Sequence, residues 1–389
     1  MATKKILIVG MVDSVHLGRW LQQFSGTNTE FVIFPSKKFR YLDKKIDELL
    51  ENNDAAVYKF ATIYSKINPN FIGYFDYFLN TILFKITRIN LRQILLKNVL
   101  GSNTFDYVHL LEIQGAGYLY LESVKDKNKP NNVILTNYGS DIYYFEQFEE
   151  HRKKIEGILK IVNFYSAECT RDYVLALKFK FMGIELPCIP NAGGIEMKTD
   201  ITPLTSCSTR KLISVKAYGG VFGRADLLFR VFSRLLEEGI DENVFFYSVT
   251  DDYARQAKIL NQQFPEKFSY STVRNPTPRD ELLKIFSLSK IYVGASRSDG
   301  ISTSFLEAIL NGVYPIQTST SCISEWINKG CIASLVTEDA TELYRAVKAN
   351  IDNDVFLDNA QLVNQRIAKQ YLDPDKIKND AFKFYGLAN

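Results

Sequence analysis

Short runs of β-branched and aliphatic residues alternate along this chain with longer stretches of helical periodicity. That is the pattern of parallel sheets covered by helices on both faces. Two series of strands are predicted. The first comprises residues 6–9, 31–34, 107–110, 133–136, 161–165 and 187–189; the second comprises 212–215, 244–248, 268–272, 291–293 and 313–317. Between them, PNAGGIEMKTDITPLTSCSTR (190–210) is rich in Pro, Gly, Ser and Thr and reads as a linker, placing a boundary near residue 195. Each half is expected to be a doubly wound α/β domain, 1–195 and 196–370, followed by a helical segment at 371–389. Ligands in such sheets bind beyond the carboxyl ends of the strands, and two such domains facing one another make a cleft.

Composition narrows the class. At 389 residues the chain is long for one core and comfortable for two. Apolar content of 46% and charged content of 23% are those of a soluble globular protein, and no apolar run reaches the roughly 18 residues of a membrane span. MATKKILIVG enters a strand-like run directly, without a cleavable signal. The cysteines, at 169, 188, 207, 322 and 331, form no CxxC pair and are odd in number, which fits a reduced, cytoplasmic, metal-free protein. A net charge of +3 is too small to argue for nucleic acid.

Candidate chemistry gathers after the strands. In SRSDGISTSFLEAILNGVYP (296–315), Asp299 and Glu307 stand eight residues apart around a predicted helix start. Gly300 follows the first acid, and Ser302, Thr303 and Ser304 supply hydroxyls and an N-cap. The helix N-terminus then offers N–H groups to a phosphate, and Glu307, one turn inside, can accept from sugar hydroxyls. The bare spacing fits an ordinary capped helix with a buried Glu equally well. In VKAYGGVFGRADLLFRVF (215–232), Lys216 closes a strand, Gly219, Gly220 and Gly223 form the loop, and Arg224 opens a helix. Such a loop lets backbone and cations approach a diphosphate, or is a structural turn with a snorkelling Lys. After the first strand, GMVDSVHLGRW (10–20) carries Asp13 or Ser14 as a helix cap, with His16 and Arg19 behind it.

Together these strings resemble the family 4 glycosyltransferases of the GT-B fold, two Rossmann-like domains that move a sugar from a nucleotide diphosphate. The resemblance rests on Asp299 to Glu307 followed by Ala308, Gly312 and Pro315, on SEW at 324–326, on IPNAGGIE at 189–196 with Asn191, and on Lys216 with Arg224. It is looser in the first half, where SVHLGRW (14–20), FDYVHLLEIQGAGYL (105–119, with His109) and TNYGSDI (136–142) stand for the family's loops. Two departures matter. Asp299 replaces the usual Glu, and Asn137 or Tyr138 replaces a loop histidine, which makes Asp141 the preferred polar group near the acceptor.

The resemblance implies retention of anomeric configuration, a UDP- or GDP-sugar as co-substrate, and a saccharide or lipid-linked saccharide as acceptor in bacterial surface polysaccharide or glycoconjugate synthesis. It implies a first domain that binds acceptor through Ser14, His16, Arg19 and Asn137, and a second that binds the nucleotide-sugar. Lys216, Arg224 and the N–H groups of 302–304 would stabilise the leaving diphosphate without a metal or cofactor. Glu307 would fix hydroxyls, and Val273, Arg274 and Asn275 would read the base. The last helix would cross back to the first domain through Phe382, Phe384 and Tyr385; a free amphipathic tail is the alternative.

Other features have two readings. LDPD (372–375) and VTDD (249–252) match Mg²⁺ patterns but read as helix caps or turns, and His16, His109 and His151 lack metal-ligand spacing. His151, within FEEHRKK, reads as a solvated face. Residues 71–100, with Lys85, Arg88, Arg92 and Lys97 among aromatics, form either a peripheral membrane contact or ordinary packing of the first domain. A Rossmann oxidoreductase is disfavoured because GxGxxG is absent. A nucleotide-sugar epimerase of similar shape and a catalytically silent nucleotide-sugar-binding protein remain as alternatives.

Overall fold

The structure is a computed structural model and describes residues 3–51, 55–61, 64, 69–83, 85, 90–124, 130–195 and 205–387. Residues 196–204 of the sequence-predicted linker, and Arg88, lie outside the described residues. The chain divides into two compact units, Met1–Gly194 with Asp375–Asn389, and Ile195–Pro374.

The first unit is built on a seven-stranded sheet of β1 (Lys4–Gly10), β2 (Thr29–Pro35), β3 (Val57–Phe60), β4 (Tyr107–Leu111), β5 (Val133–Thr136), β6 (Phe164–Ser166) and β7 (Ile184–Glu185), in the order β3-β2-β1-β4-β5-β6-β7. The second carries six strands, β8 (Leu212–Lys216), β9 (Asn243–Val249), β10 (Phe268–Thr272), β11 (Ser289–Gly294), β12 (Tyr314–Thr318) and β13 (Ser334–Val336), in the order β10-β9-β8-β11-β12-β13. All pairings are parallel. Central strands such as β1 and β11 are buried on both faces, hence their continuous apolar runs. In each sheet the strand order reverses beside the first strand, at β1/β4 and β8/β11, and that crevice is where a doubly wound sheet takes a ligand.

Four strand assignments differ from the sequence pattern. Residues 187–189 form no strand; β7 lies at Ile184–Glu185, ahead of Pro187 and Pro190, which cannot donate to a ladder. The stretch predicted at 161–165 pairs only from Phe164, because Ile161 and Val162 still close the preceding helix onto Ile158 O. β3 and β13 are short edge strands without an apolar run, and the pattern passes over both.

The segment Asp375–Asn389 completes the core of the first unit. Phe384 packs against Trp20 with ring centroids 4.8 Å apart, and Tyr385 packs against Phe24 at 5.0 Å. The Tyr385 hydroxyl accepts from Trp20 Nε1 at 3.0 Å and lies 2.7 Å from His109 Nδ1, whose other nitrogen lies 2.6 Å from Thr136 Oγ1. His109 is therefore a core residue, and burial pushes its pKa down to about 3. His151 is half-buried rather than solvated: its ring packs at a tilt against Phe145, centroids 4.6 Å apart, and lies 3.0 Å from Tyr118 Oη.

Candidate functional site

In the second unit, β8 delivers Lys216 to the carboxyl edge of the sheet, in register with Tyr247 of β9 and Gly294 of β11. The loop that follows folds against the segment after β11. Gly223 bridges Ser296, Arg224 N donates to Ala295 O at 3.2 Å, and Arg297 N donates to Phe222 O at 2.7 Å. Two motifs more than 70 residues apart in sequence thus share one edge. Glycine is required twice: Gly220 has φ +75°, and a Cβ on Gly223 would come within 2.0 Å of Tyr218 O. Gly219 N donates to Thr250 Oγ1 at 3.0 Å, so VTDD, remote in sequence, adjoins this loop in space; Asp251 and Asp252 open the helix Asp251–Gln263.

The helix Thr303–Leu310 starts at this edge. Ser302 occupies the N-cap position but makes no side-chain cap bond, so the first-turn N–H groups are left to whatever lies beyond. Lys216 Nζ lies 3.5 Å from Ser302 Oγ and 5.1 Å above the Tyr218 ring. Asp299 is half-buried with its N–H 3.4 Å from Thr320 O, and Gly300 O accepts from Cys322 N at 2.9 Å. Thr303 is half-buried, while Ser302 and Ser304 are buried. Glu307 is buried one turn in, and its Oε1 accepts from Arg279 Nε at 3.1 Å.

Arg224 has other partners. Its Nε and Nη2 donate to both oxygens of Asp226 at 2.9 and 2.8 Å, and Nη1 pairs with Glu338. Hydrogen bonds to Asp226, ahead of the Glu338 contact, hold the guanidinium in its charged form above the ordinary range. In the loop after β10, Val273 N donates to Val249 O, Arg274 pairs with Asp251 at 2.6 Å, and Asn275 N donates to Thr272 Oγ1 at 3.1 Å.

Beneath this edge lies a polar layer that sequence reasoning missed. Tyr247, Tyr292 and Gln317 are buried, and Tyr247 Oη, Tyr292 Oη and Gln317 Oε1 lack a hydrogen-bond partner among the described residues. Burial raises both phenol pKa values above the ordinary range; the Glu307 carboxylate acts on both, and that of Asp299 on Tyr292. Nothing in the spacing singles these residues out, because buried tyrosines read as core.

The first unit presents a second cluster at its own carboxyl edge. Ser14 caps the helix Val15–Gln22, accepting from His16 N at 3.3 Å; His16 faces Tyr138 with ring centroids 5.8 Å apart, and Arg19 lies in the last turn. Asn137 is built into the fold: its Nδ2 donates to Asp172 Oδ2 at 2.7 Å, and Asn191 Nδ2 reaches its carbonyl at 3.4 Å. Asp141 Oδ2 accepts from Ile113 N and Tyr138 N at 2.8 and 3.0 Å. Burial first, then the neighbouring Glu112 carboxylate, push its pKa up to about 8.

Glu112 is the residue missed here. It is buried, adopts φ +89°, accepts from Gly115 N, Ala116 N and Ser36 Oγ, and pairs with Lys37 at 3.1 Å. A non-glycine residue at positive φ is sparsely populated backbone held by its surroundings. The available signal was its place between a strand and the glycines of IQGAG.

The chain matches no family model, and no curated protein matches it in sequence. Solved structures match along nearly its whole length. HepE of Anabaena, in complex with UDP-glucose, is similar with a TM-score of 0.68 at 10% identity, covering 98% of this chain and 99% of that one. Sucrose-phosphate synthase from Thermosynechococcus elongatus is similar with a TM-score of 0.69 at 10% identity, covering 98% of each chain. A glycosyltransferase from Rickettsia africae gives 0.64 at 14%, covering 99% of this chain and 98% of that one. The fold is GT-B, with two Rossmann-like domains.

Proposed function

We propose that this protein is a retaining, family 4-type glycosyltransferase that moves a sugar from a nucleotide diphosphate to a saccharide, free or lipid-linked, in bacterial surface polysaccharide or glycoconjugate synthesis. One observation carries the reading: the uncapped start of Thr303–Leu310 and the Lys216 ammonium converge at the switch point of a parallel sheet. N–H groups and a cation fixed in advance suit a diphosphate whose charge grows as the glycosidic bond breaks. The UDP-glucose in HepE, similar in fold, supports a nucleotide-sugar donor and favours UDP over GDP.

In this scheme Lys216 and the amides of 302–304 hold the leaving group, Gly219 and Gly220 let the backbone approach it, Glu307 orients hydroxyls, and Asp299 lies nearer the transferred sugar. Val273 to Asn275 meet the base. On the acceptor side Asp141, His16, Ser14 and Arg19 are orienting groups, while Asn137, held by Asp172, braces the loop from within. The acceptor attacks on the face that the diphosphate leaves, and a departing phosphate oxygen takes its proton, so no side-chain base is demanded. No metal or cofactor is assigned to the step. Purified protein with a panel of UDP-, GDP- and ADP-sugars tests the proposal; no hydrolysis and no transfer with any of them would reject it.

A cytoplasmic protein with peripheral membrane contact completes the reading. Among the described residues no helix is long and apolar enough to cross a membrane. Phe71, Tyr74, Phe78 and Ile82, spaced along one helical face, are exposed, while Ile72 and Asp76 point inward. Asp76 is the one acid between Ala55 and Phe105, and Arg92 neutralises it, so no unpaired carboxylate in this stretch of sequence repels an anionic bilayer.

A further inference from the structure

The charges at the start of Thr303–Leu310 do not balance on the residues that the sequence singles out. Arg224 is closed onto Asp226 and Glu338, leaving Lys216 as the cation beside Ser302. Near it are two carboxylates, half-buried Asp299 and buried Glu307. A nucleoside diphosphate brings further negative charge to this place, and an unpaired buried carboxylate would repel it.

Arg279 supplies the missing charge. It opens the helix Arg279–Leu288 directly after the loop that carries Val273, Arg274 and Asn275, and its Nε donates to Glu307 Oε1 at 3.1 Å. The two side chains differ in exposure, 44% for Arg279 against 5% for Glu307. A guanidinium is a planar fork of five donors, so one edge can hold a carboxylate while the other faces solvent. Among the described residues no hydrogen bond engages its Nη groups.

We infer that Arg279 is a donor-binding residue: it grips Glu307 through Nε and presents its Nη groups to a phosphate of the nucleotide. The inference rests on the nucleotide-sugar reading of this site. Arg279 then has two tasks, cancelling the Glu307 charge that would repel the diphosphate and providing the second cationic contact that the ion pairs of Arg224 withhold. It also ties the base-reading loop to the hydroxyl-reading carboxylate, residues 28 positions apart in sequence. A lysine could do the first task but, as a point charge, not both.

Calorimetric titration of UDP, GDP and ADP identifies the nucleotide; that diphosphate and its parent nucleoside are then compared on wild type, Arg279→Gln and Arg279→Lys, with melting curves as the folding control. Arg279→Gln should weaken the diphosphate about 10- to 100-fold, the range for a lost hydrogen bond to a charged group, and the nucleoside far less. Arg279→Lys should melt like wild type yet recover only part of the diphosphate affinity. Equal losses for nucleoside and diphosphate would make Arg279 a prop for Glu307 and overturn the inference, as would unchanged or tighter binding. Absence of nucleotide binding in the wild type would instead sink the glycosyl-transfer reading itself.

Discussion

Arg92 Nη2 lies 2.8 Å from each carboxylate oxygen of Asp76, and both side chains are buried. Tyr64 Oη and Asn80 Nδ2 also donate to Asp76 Oδ1, each at 2.8 Å, so one carboxylate gathers the segment on either side of it. Removing either ion of such a pair leaves the other buried and uncompensated, at a cost of about 3–5 kcal/mol. Arg92→Leu should therefore lower the stability of the first unit by that order in urea unfolding, and a change within about 0.5 kcal/mol, the range for a surface substitution, would contradict the pairing.

Tyr385 should matter as much as a central core residue. Tyr385→Phe keeps the ring contacts but removes the hydroxyl between Trp20 and His109, leaving buried polar atoms unsatisfied at about 1–3 kcal/mol. Tyr385→Ala adds a cavity and should cost about 3–5 kcal/mol. Equilibrium unfolding followed by tryptophan fluorescence in a Trp326→Phe background, where Trp20 alone reports, ranks the two variants; equal effects would mean that the hydroxyl is idle.

Stability should bend with pH in two directions. An unfolded histidine takes up its proton near 6.5, whereas buried His109 resists until about 3. Between those values the unfolded state binds more protons, so stability falls on acidification. Asp141 acts with the opposite sign: folded, it holds its proton up to about 8, and unfolded it ionises near 3.9, so stability declines as pH rises through that window. Each slope is at most about 1.4 kcal/mol per pH unit. In melting curves between about pH 4 and 9 the two slopes offset one another below about 6.5 in the wild type, so Asp141→Asn should remove the decline above that pH and uncover the acid decline below it.

If Lys216 and the uncapped amides hold the leaving group, Lys216→Ala should cost turnover about 10²–10³-fold, the usual effect of removing one preorganised donor. Glu307→Ala should raise the donor KM and lower turnover with melting intact. EDTA should leave the wild-type rate unchanged, and restoration of a lost rate by Mg²⁺ would replace the metal-free scheme. Wild-type turnover in both variants would reject the site.

The exposed face of Phe71, Tyr74 and Phe78 should bind anionic vesicles at low salt and release them as salt rises. Replacing all three by Ser should abolish sedimentation with vesicles while leaving transfer to a soluble acceptor intact. Failure of the wild type to sediment at low salt would reduce the face to ordinary surface.

Much of this architecture was legible in the chain because parallel strands buried on both faces announce themselves as apolar runs, as β1 and β11 do. Edge strands do not: β3 alternates, with Val57 and Lys59 exposed, and β13 is three residues long. Lys216, Ser302 and Glu307 stand out in the sequence because their types and local spacing suit an anion at a helix start. Arg279 and Glu112 do not, since their roles arise from contacts with residues distant in sequence or from a backbone angle. Arg224 shows the converse: a cation in the expected place whose charge Asp226 and Glu338 answer, a fact no local string contains.

The first unit is interrupted in sequence by the whole of the second, and its closing piece lies at Asp375–Asn389. On the ribosome, β1 and the helix of Trp20 emerge early yet cannot bury that indole against Phe384 and Tyr385 until the chain is nearly complete. The inserted unit, Ile195–Pro374, is contiguous and can mature ahead of the unit that precedes it. A nascent chain halted before residue 375 should therefore expose the Trp20 pocket as apolar surface, a ready target for chaperones.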